Sequence, residues 1–171
     1  MKTQIILPAG IYEDLLSHLL PLHARTEEAA FIFATPERSP AGLTFKFVEA
    51  LKMKPQDFAV QHADYLELTD SARAGVIKRA HDLGASIIEV HSHVGPWRAA
   101  FSYSDVNGLK DIVPHIWWRL RGRPYAAIVV ATDGFDALVW AEDPHAPCAL
   151  DELVAGDRVL QATNISLRDW S

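Results

Sequence analysis

Apolar positions along the chain follow two rhythms, one of helices and one of strands. A short apolar run from Gln4 to Leu7 suggests a first strand. Ile11, Leu15, Leu16, Leu19 and Leu20 then recur at helical spacing up to Pro21. Residues 27–34 and 43–51 read as two strands of a hairpin, joined by the polar turn Pro36-Glu37-Arg38-Ser39-Pro40. Residues 54–63 carry no clear rhythm. Thr69 or Asp70 can cap a helix that runs through Leu83 and stops at Gly84. The run Ala85-Ser86-Ile87-Ile88-Glu89-Val90 is short, apolar and β-branched, as in a buried strand. A helix is expected from Asp105 to about Leu120 despite Pro114. Strands are expected at 124–132 and 135–141, about the turn Asp133-Gly134. This order predicts an α/β fold without internal repeats or linkers.

Composition narrows the class. At 171 residues and 49% hydrophobic, the chain can bury one substantial core, which predicts a single domain over 1–171. A formal charge of −6 argues against a general nucleic-acid surface. Arg119, Arg121 and Arg123 read as a solvated helix end and turn. Cys148 is the sole cysteine, so neither an intrachain disulfide nor a thiolate-rich metal site is available, and a reducing compartment suits the chain. The first residues are too short in their apolar part for a signal peptide. No stretch reaches the roughly eighteen apolar residues needed to cross a bilayer. A soluble, cytoplasmic protein is therefore expected.

The candidate chemistry lies in residues 91–105. His91 and His93 are two apart, and in an extended segment that spacing puts both imidazoles on one face. The apolar run before them delivers the pair at the C-terminal end of a strand. Asp105 follows beyond a loop containing Gly95, Pro96 and Trp97, and can add a carboxylate oxygen. Two histidines and one carboxylate, with a fourth position left to water, is a known composition for catalytic zinc. Taken singly, each histidine is more often a surface or satisfied core residue. Ser102 or Ser104 also fits the N-cap of a helix. Trp97 and Arg98 sit in the loop between ligands, where side chains can meet a substrate. His81 reads as a helix-end residue, and His115, Trp117 and Trp118 as residues packing their helix against the sheet.

Together, His91-Ser92-His93 and Ser102-Tyr103-Ser104-Asp105 resemble the JAMM signature of MPN-domain metalloproteases. That signature is an upstream glutamate, H-[S/T]-H, about seven residues, then S-x-x-D. Here eight residues intervene, and Val94 replaces the usual proline after the second histidine. The resemblance implies a curved mixed sheet flanked by helices, of the cytidine-deaminase-like type. It implies one zinc ion (Zn2+) per chain on His91, His93 and Asp105, with Glu27 as general base to a zinc-activated water and Ser102 donating to the oxyanion. Counting from Glu27 puts Ala30 and Ala34 at the family's small positions. Counting from Glu28, the alternative base, puts Phe31 where glycine is usual.

The implied activity is hydrolysis of a peptide or isopeptide bond after ubiquitin or a ubiquitin-like protein, which would be the partner. The short, stand-alone chain resembles the prokaryotic branch, whose members accompany ubiquitin-like conjugation or sulfur-carrier systems. Two alternatives remain open. A non-catalytic MPN scaffold usually loses ligands that this chain keeps, and the acidic balance counts against a DNA-associated relative.

Overall fold

The computed structural model describes all 171 residues. In chain order the elements are β1 (Lys2–Leu7), α1 (Ile11–Leu19), β2 (Ala29–Ser39), β3 (Gly42–Lys52), a single 3-10 turn (Pro55–Asp57), β4 (Phe58–Gln61), β5 (Leu66–Leu68) and α2 (Asp70–Leu83). They continue with β6 (Ser86–Ser92), α3 (Tyr103–Arg119), β7 (Tyr125–Ala131), β8 (Gly134–Trp140), β9 (Glu152–Ala155), β10 (Arg158–Leu160) and α4 (Ile165–Arg168). Eight strands form one curled, mixed sheet, a half-barrel in the order β10-β9-β1-β3-β2-β6-β7-β8. β4 and β5 form a separate hairpin.

Alternation along the central strands explains why they read as unbroken apolar runs, since both faces are covered. Ala30, Ile32 and Ala34 of β2, Ile88 and Val90 of β6, and Ile128 and Val130 of β7 point into one core, which Leu15 and Leu19 of α1 complete. The neighbouring positions Phe31, Phe33, Ile87, Ala127 and Val129 point into a second core under Val76, Ile77 and Ala80 of α2 and Leu109, Val113 and Ile116 of α3. His91 belongs to this second face by the same two-residue period. Thr69 caps α2, its side chain accepting from the Ala72 N–H. Gly84 ends the helix at φ 62, a left-handed position that glycine adopts without a Cβ penalty. Gly42 has φ +151 at the point where β3 meets β1, and a Cβ there would lie 1.8 Å from the Lys2 carbonyl oxygen.

Several expectations need correction. The turn of the β2–β3 hairpin is Pro40-Ala41, because β2 continues through Pro36 to Ser39. β6 pairs β2 only as far as Ala34, so Pro36 lies where one side of its strand has no partner and a missing N–H is tolerated. The rhythmless residues 54–63 enter the β4–β5 hairpin. β9 and β10, not foreseen, extend the sheet beyond β1, with β9 parallel to it. The helix of Asp105 begins two residues earlier, at Tyr103. His115 and Trp118 do not pack against the sheet. Both are exposed, Trp118 at 75%, and of these residues only Trp117 packs on the second core. Arg123 is a strut rather than part of a solvated turn, since its Nη1 donates to the Ala80 and Ala85 carbonyls at 3.1 and 3.0 Å. No helix is long and apolar enough to cross a membrane.

Trp140 has no exposed surface and meets Tyr125 and Trp170 edge-on at 5.9 and 5.7 Å between ring centroids. Trp140→Ala is expected to lower the unfolding free energy in urea by about 3–5 kcal/mol. Trp118→Ala should change it by no more than about 0.5 kcal/mol, and a larger loss would place Trp118 in the core after all.

Candidate metal centre

The pairing of β2 with β6 builds the site. Ala29 lies opposite His91 and Ala30 opposite Val90. The ladder runs one step past the strand, where the Ser92 N–H donates to the Glu28 carbonyl at 3.0 Å. Carrying that register on sets Glu27 across from His93. Alternation then gives Glu27, His91 and His93 the same face, and leaves Glu28 on the other, where its N–H donates to Ser92 Oγ at 2.9 Å. The end of β4 and the residue after it pin Glu27 in place. Its N–H donates to the His62 carbonyl at 2.8 Å, and Gln61 Nε2 donates to its carbonyl at 3.0 Å.

Asp105 arrives from the first turn of α3. The Ser102 hydroxyl accepts from the Asp105 N–H at 3.1 Å, and the Ser102 N–H donates to Asp105 Oδ2 at 2.8 Å, a reciprocal capping box. The same Oδ2 lies 3.2 Å from His91 Nε2 and 2.9 Å from His93 Nε2, and the two nitrogens are 3.3 Å apart. Ligands about 2.0–2.1 Å from a tetrahedral ion are separated by roughly 3.3 Å, so three donor atoms at these spacings fit a single ion. Glu27 closes the group from the fourth side, its Oε2 3.6 Å from His93 Nε2. One ligand atom from each of Glu27, His91 and His93 can be chosen so that all lie within 4.8 Å of one another, close enough to hold one metal ion. Asp105 sits nearer to both imidazoles than Glu27 does, which favours Asp105 as the third ligand and leaves Glu27 beside the group.

The loop between the histidines and α3 is tied down by residues that sequence reading missed. The Ala99 N–H donates to Asp133 Oδ1 at 3.1 Å, and Thr163 Oγ1 donates to the Ala99 carbonyl at 2.7 Å. The Phe101 N–H donates to Ser166 Oγ at 2.8 Å, and the Ser166 N–H to the fully buried Asp136 at 2.9 Å. The Phe101 ring then rests 5.8 Å from that of His91. With these anchors, neither the eight-residue spacing nor Val94 keeps Asp105 from the histidines. No short motif marks the clamp, because its parts are far apart in the chain.

Burial dominates the electrostatics. It pushes the Glu27 carboxyl up to about 6, against the pull of His91 and His93, with Asp105 and Asp64 adding to the rise. Burial also opposes ionisation of Asp105, but hydrogen bonds from His91 and His93 overcome it and hold that carboxyl far below the usual range. Burial lowers the His91 pKa, while the hydrogen bond and charge of Asp105 more than offset it, so the net shift is upward. The arrangement therefore sets an ionised Asp105 near a second carboxyl, Glu27, able to exchange a proton near neutrality.

Trp97 and Arg98 are both exposed in the loop, and neither lines the cleft that adjoins the group. That cleft, about 270 Å³, opens between β5, the start of α2 and α3, with His91 and Asp105 in its wall. No family model matches the chain, and no curated protein matches it.

Glu27 in a chelator-stripped sample supplies a test. Its folded-state pKa is raised, so its ionisation costs stability above about pH 6, and the cost vanishes below about pH 4.5. Glu27→Gln should stabilise the stripped protein by up to about 2 kcal/mol at pH 8 and not at pH 4, read from denaturant midpoints. A gain equal at both pH values would show that ionisation is not the cause.

Proposed function

We propose that the chain is a zinc-dependent peptidase of the JAMM type, cutting a peptide or isopeptide bond at the C-terminal end of a ubiquitin-like protein. The observation that carries this reading is the meeting of His91, His93 and Asp105 beside a buried Glu27. The donor set of two imidazoles and a carboxylate is one that catalytic zinc takes, and the curled mixed sheet with flanking helices suits the MPN architecture. Bound by His91, His93 and Asp105, the ion would supply Lewis acidity for the carbonyl and lower the pKa of water towards about 7.

The remaining work falls to side chains of this protein. Glu27, raised towards neutrality by burial, takes a proton from the attacking water and returns one to the leaving amine. Ser102 uses an oxygen lone pair to cap α3, so its O–H stays free to donate to the oxyanion of the tetrahedral intermediate. An extended tail finds a template in β5, which pairs only with β4 and leaves its other edge free beside the cleft. Trp97, 70% exposed, and Arg98 are available to the folded part of such a partner. The half-buried free thiol of Cys148 is compatible with a reducing cytoplasm.

Two variants separate metal binding from chemistry. His93→Ala should lose zinc by elemental analysis and lose hydrolysis of ubiquitin-like C-terminal fusions with it. Glu27→Gln should keep about one zinc per chain while turnover falls by about 10²–10⁴-fold, the usual worth of a general base. Undiminished turnover in Glu27→Gln would overturn the assignment of the base. A zinc-loaded wild-type protein that binds such fusions and cleaves none would be a scaffold.

A further inference from the structure

Glu89 stands where the sheet would otherwise place a core residue. It follows Ile87 and precedes His91 on the face of β6 that looks towards α2 and α3, paired with Phe31 on one side and Ala127 on the other. The buried Tyr125 O–H donates to Glu89 Oε1 at 2.5 Å. Glu89 makes no ion pair, and its other oxygen takes no hydrogen bond. Glu89 is half-buried, so its second oxygen is left open to the cleft rather than sealed in the core. Glu89 lines the cleft that ends at His91 and Asp105.

Arg73, from the first turn of α2, lines the same cleft and is half-buried. Its guanidinium makes no hydrogen bond to the protein, and no carboxylate oxygen lies within 4.0 Å of it. Two opposite charges thus border one space without closing into an ion pair. Phe31, Leu66, Leu68 and Leu109 supply apolar walls, and the volume of about 270 Å³ suits one side chain. Small-molecule pockets run to roughly 300–1,000 Å³. Glu67, at the rim, is exposed and accepts from Tyr65 at 3.3 Å, so solvent screens its charge.

We propose that this cleft is a specificity pocket for a carboxamide side chain, best filled by glutamine, with Glu89 and Arg73 as its two determinants. A lysine head would meet Glu89 but face Arg73, and a glutamate head would meet the reverse conflict. An apolar side chain would desolvate both charges and pair neither. A carboxamide donates to the free oxygen of Glu89 through its NH2 and accepts from Arg73 through its carbonyl, while the glutamine stem lies along the leucines. The proposal rests on the peptidase reading only in taking the ligand to be a polypeptide.

The test uses blocked tripeptides, acetyl-Gly-X-Gly-amide with X as Gln, Glu, Lys or Leu, titrated by NMR into the isotope-labelled, zinc-loaded full chain. The glutamine peptide should bind about fivefold more tightly than the others, the worth of one net hydrogen bond, with shifts centred on Arg73, Tyr65 and Leu66. Glu89→Gln should turn the preference to Glu, and Arg73→Gln should turn it to Lys, with zinc content unchanged in both. Should Glu89→Gln fail to fold, Arg73→Gln on the outer turn of α2 carries the test alone. Equal binding of the leucine peptide, no saturable shift with the glutamine peptide, or an unchanged order in Arg73→Gln would overturn the proposal. Glutamine-selective binding in a protein that hydrolyses no fusion would leave the pocket standing and remove the peptidase reading. Hydrolysis of fusions with no selectivity among the tripeptides would do the opposite.

Discussion

The antiparallel ladder between β2 and β6 decides which side chains can meet at the centre of this protein. A slip of one residue would exchange every side chain on one face for its neighbour. If β2 slipped, Ile32 would leave the core under α1 and Phe31 and Phe33 the one under α2 and α3, and a slip of β6 would displace Ile88 and Val90 in the same way. Two packed cores therefore hold the register, and the register holds the chemistry. Ala29 opposite His91 brings Glu27 to His93, and no flexible segment has to find that position.

Around this fixed pair the structure accepts polar groups where apolar ones would be more stable. Glu27 is buried with a carboxyl pushed up to about 6, and Glu89 interrupts an apolar face two residues before His91. Burying a carboxyl such as that of Glu27 costs a folded chain of order one to a few kcal/mol. Both carboxyls lie on the face of the sheet that carries His91 and His93. The clamp from Asp133, Asp136, Thr163 and Ser166 onto the intervening loop has the complementary role. It fixes Phe101 beside the cap of α3, which holds Asp105 against His91 and His93.

The parts of this arrangement legible in the sequence are those written in short-range order. Thr69 and Gly84 mark the two ends of α2, and the spacing of His91, His93, Ser102 and Asp105 carries the donor set, because caps and ligand pairs need few residues. Glu27 could be favoured over Glu28 only by the small residues after it. The physical reason, the facing of Glu27 and His93 across two strands, is a tertiary fact. β9 was invisible for the same cause, since it gains its place beside β1, more than a hundred residues earlier in the chain. Trp118 misled because aromatic residues in a helix usually pack, and here the helix turns that position to solvent. Arg73 and Glu89 carry no motif at all, and they meet only in a cleft lined from β2, β5, α2, β6 and α3.

X-ray absorption at the zinc edge of the reconstituted protein tests the centre most directly, because it reads the ligand set itself. The account predicts about one zinc per chain with two imidazoles, from His91 and His93, and light oxygen donors completing the shell. A shell with fewer than two imidazoles, one containing sulfur, or the lack of stoichiometric zinc would contradict it.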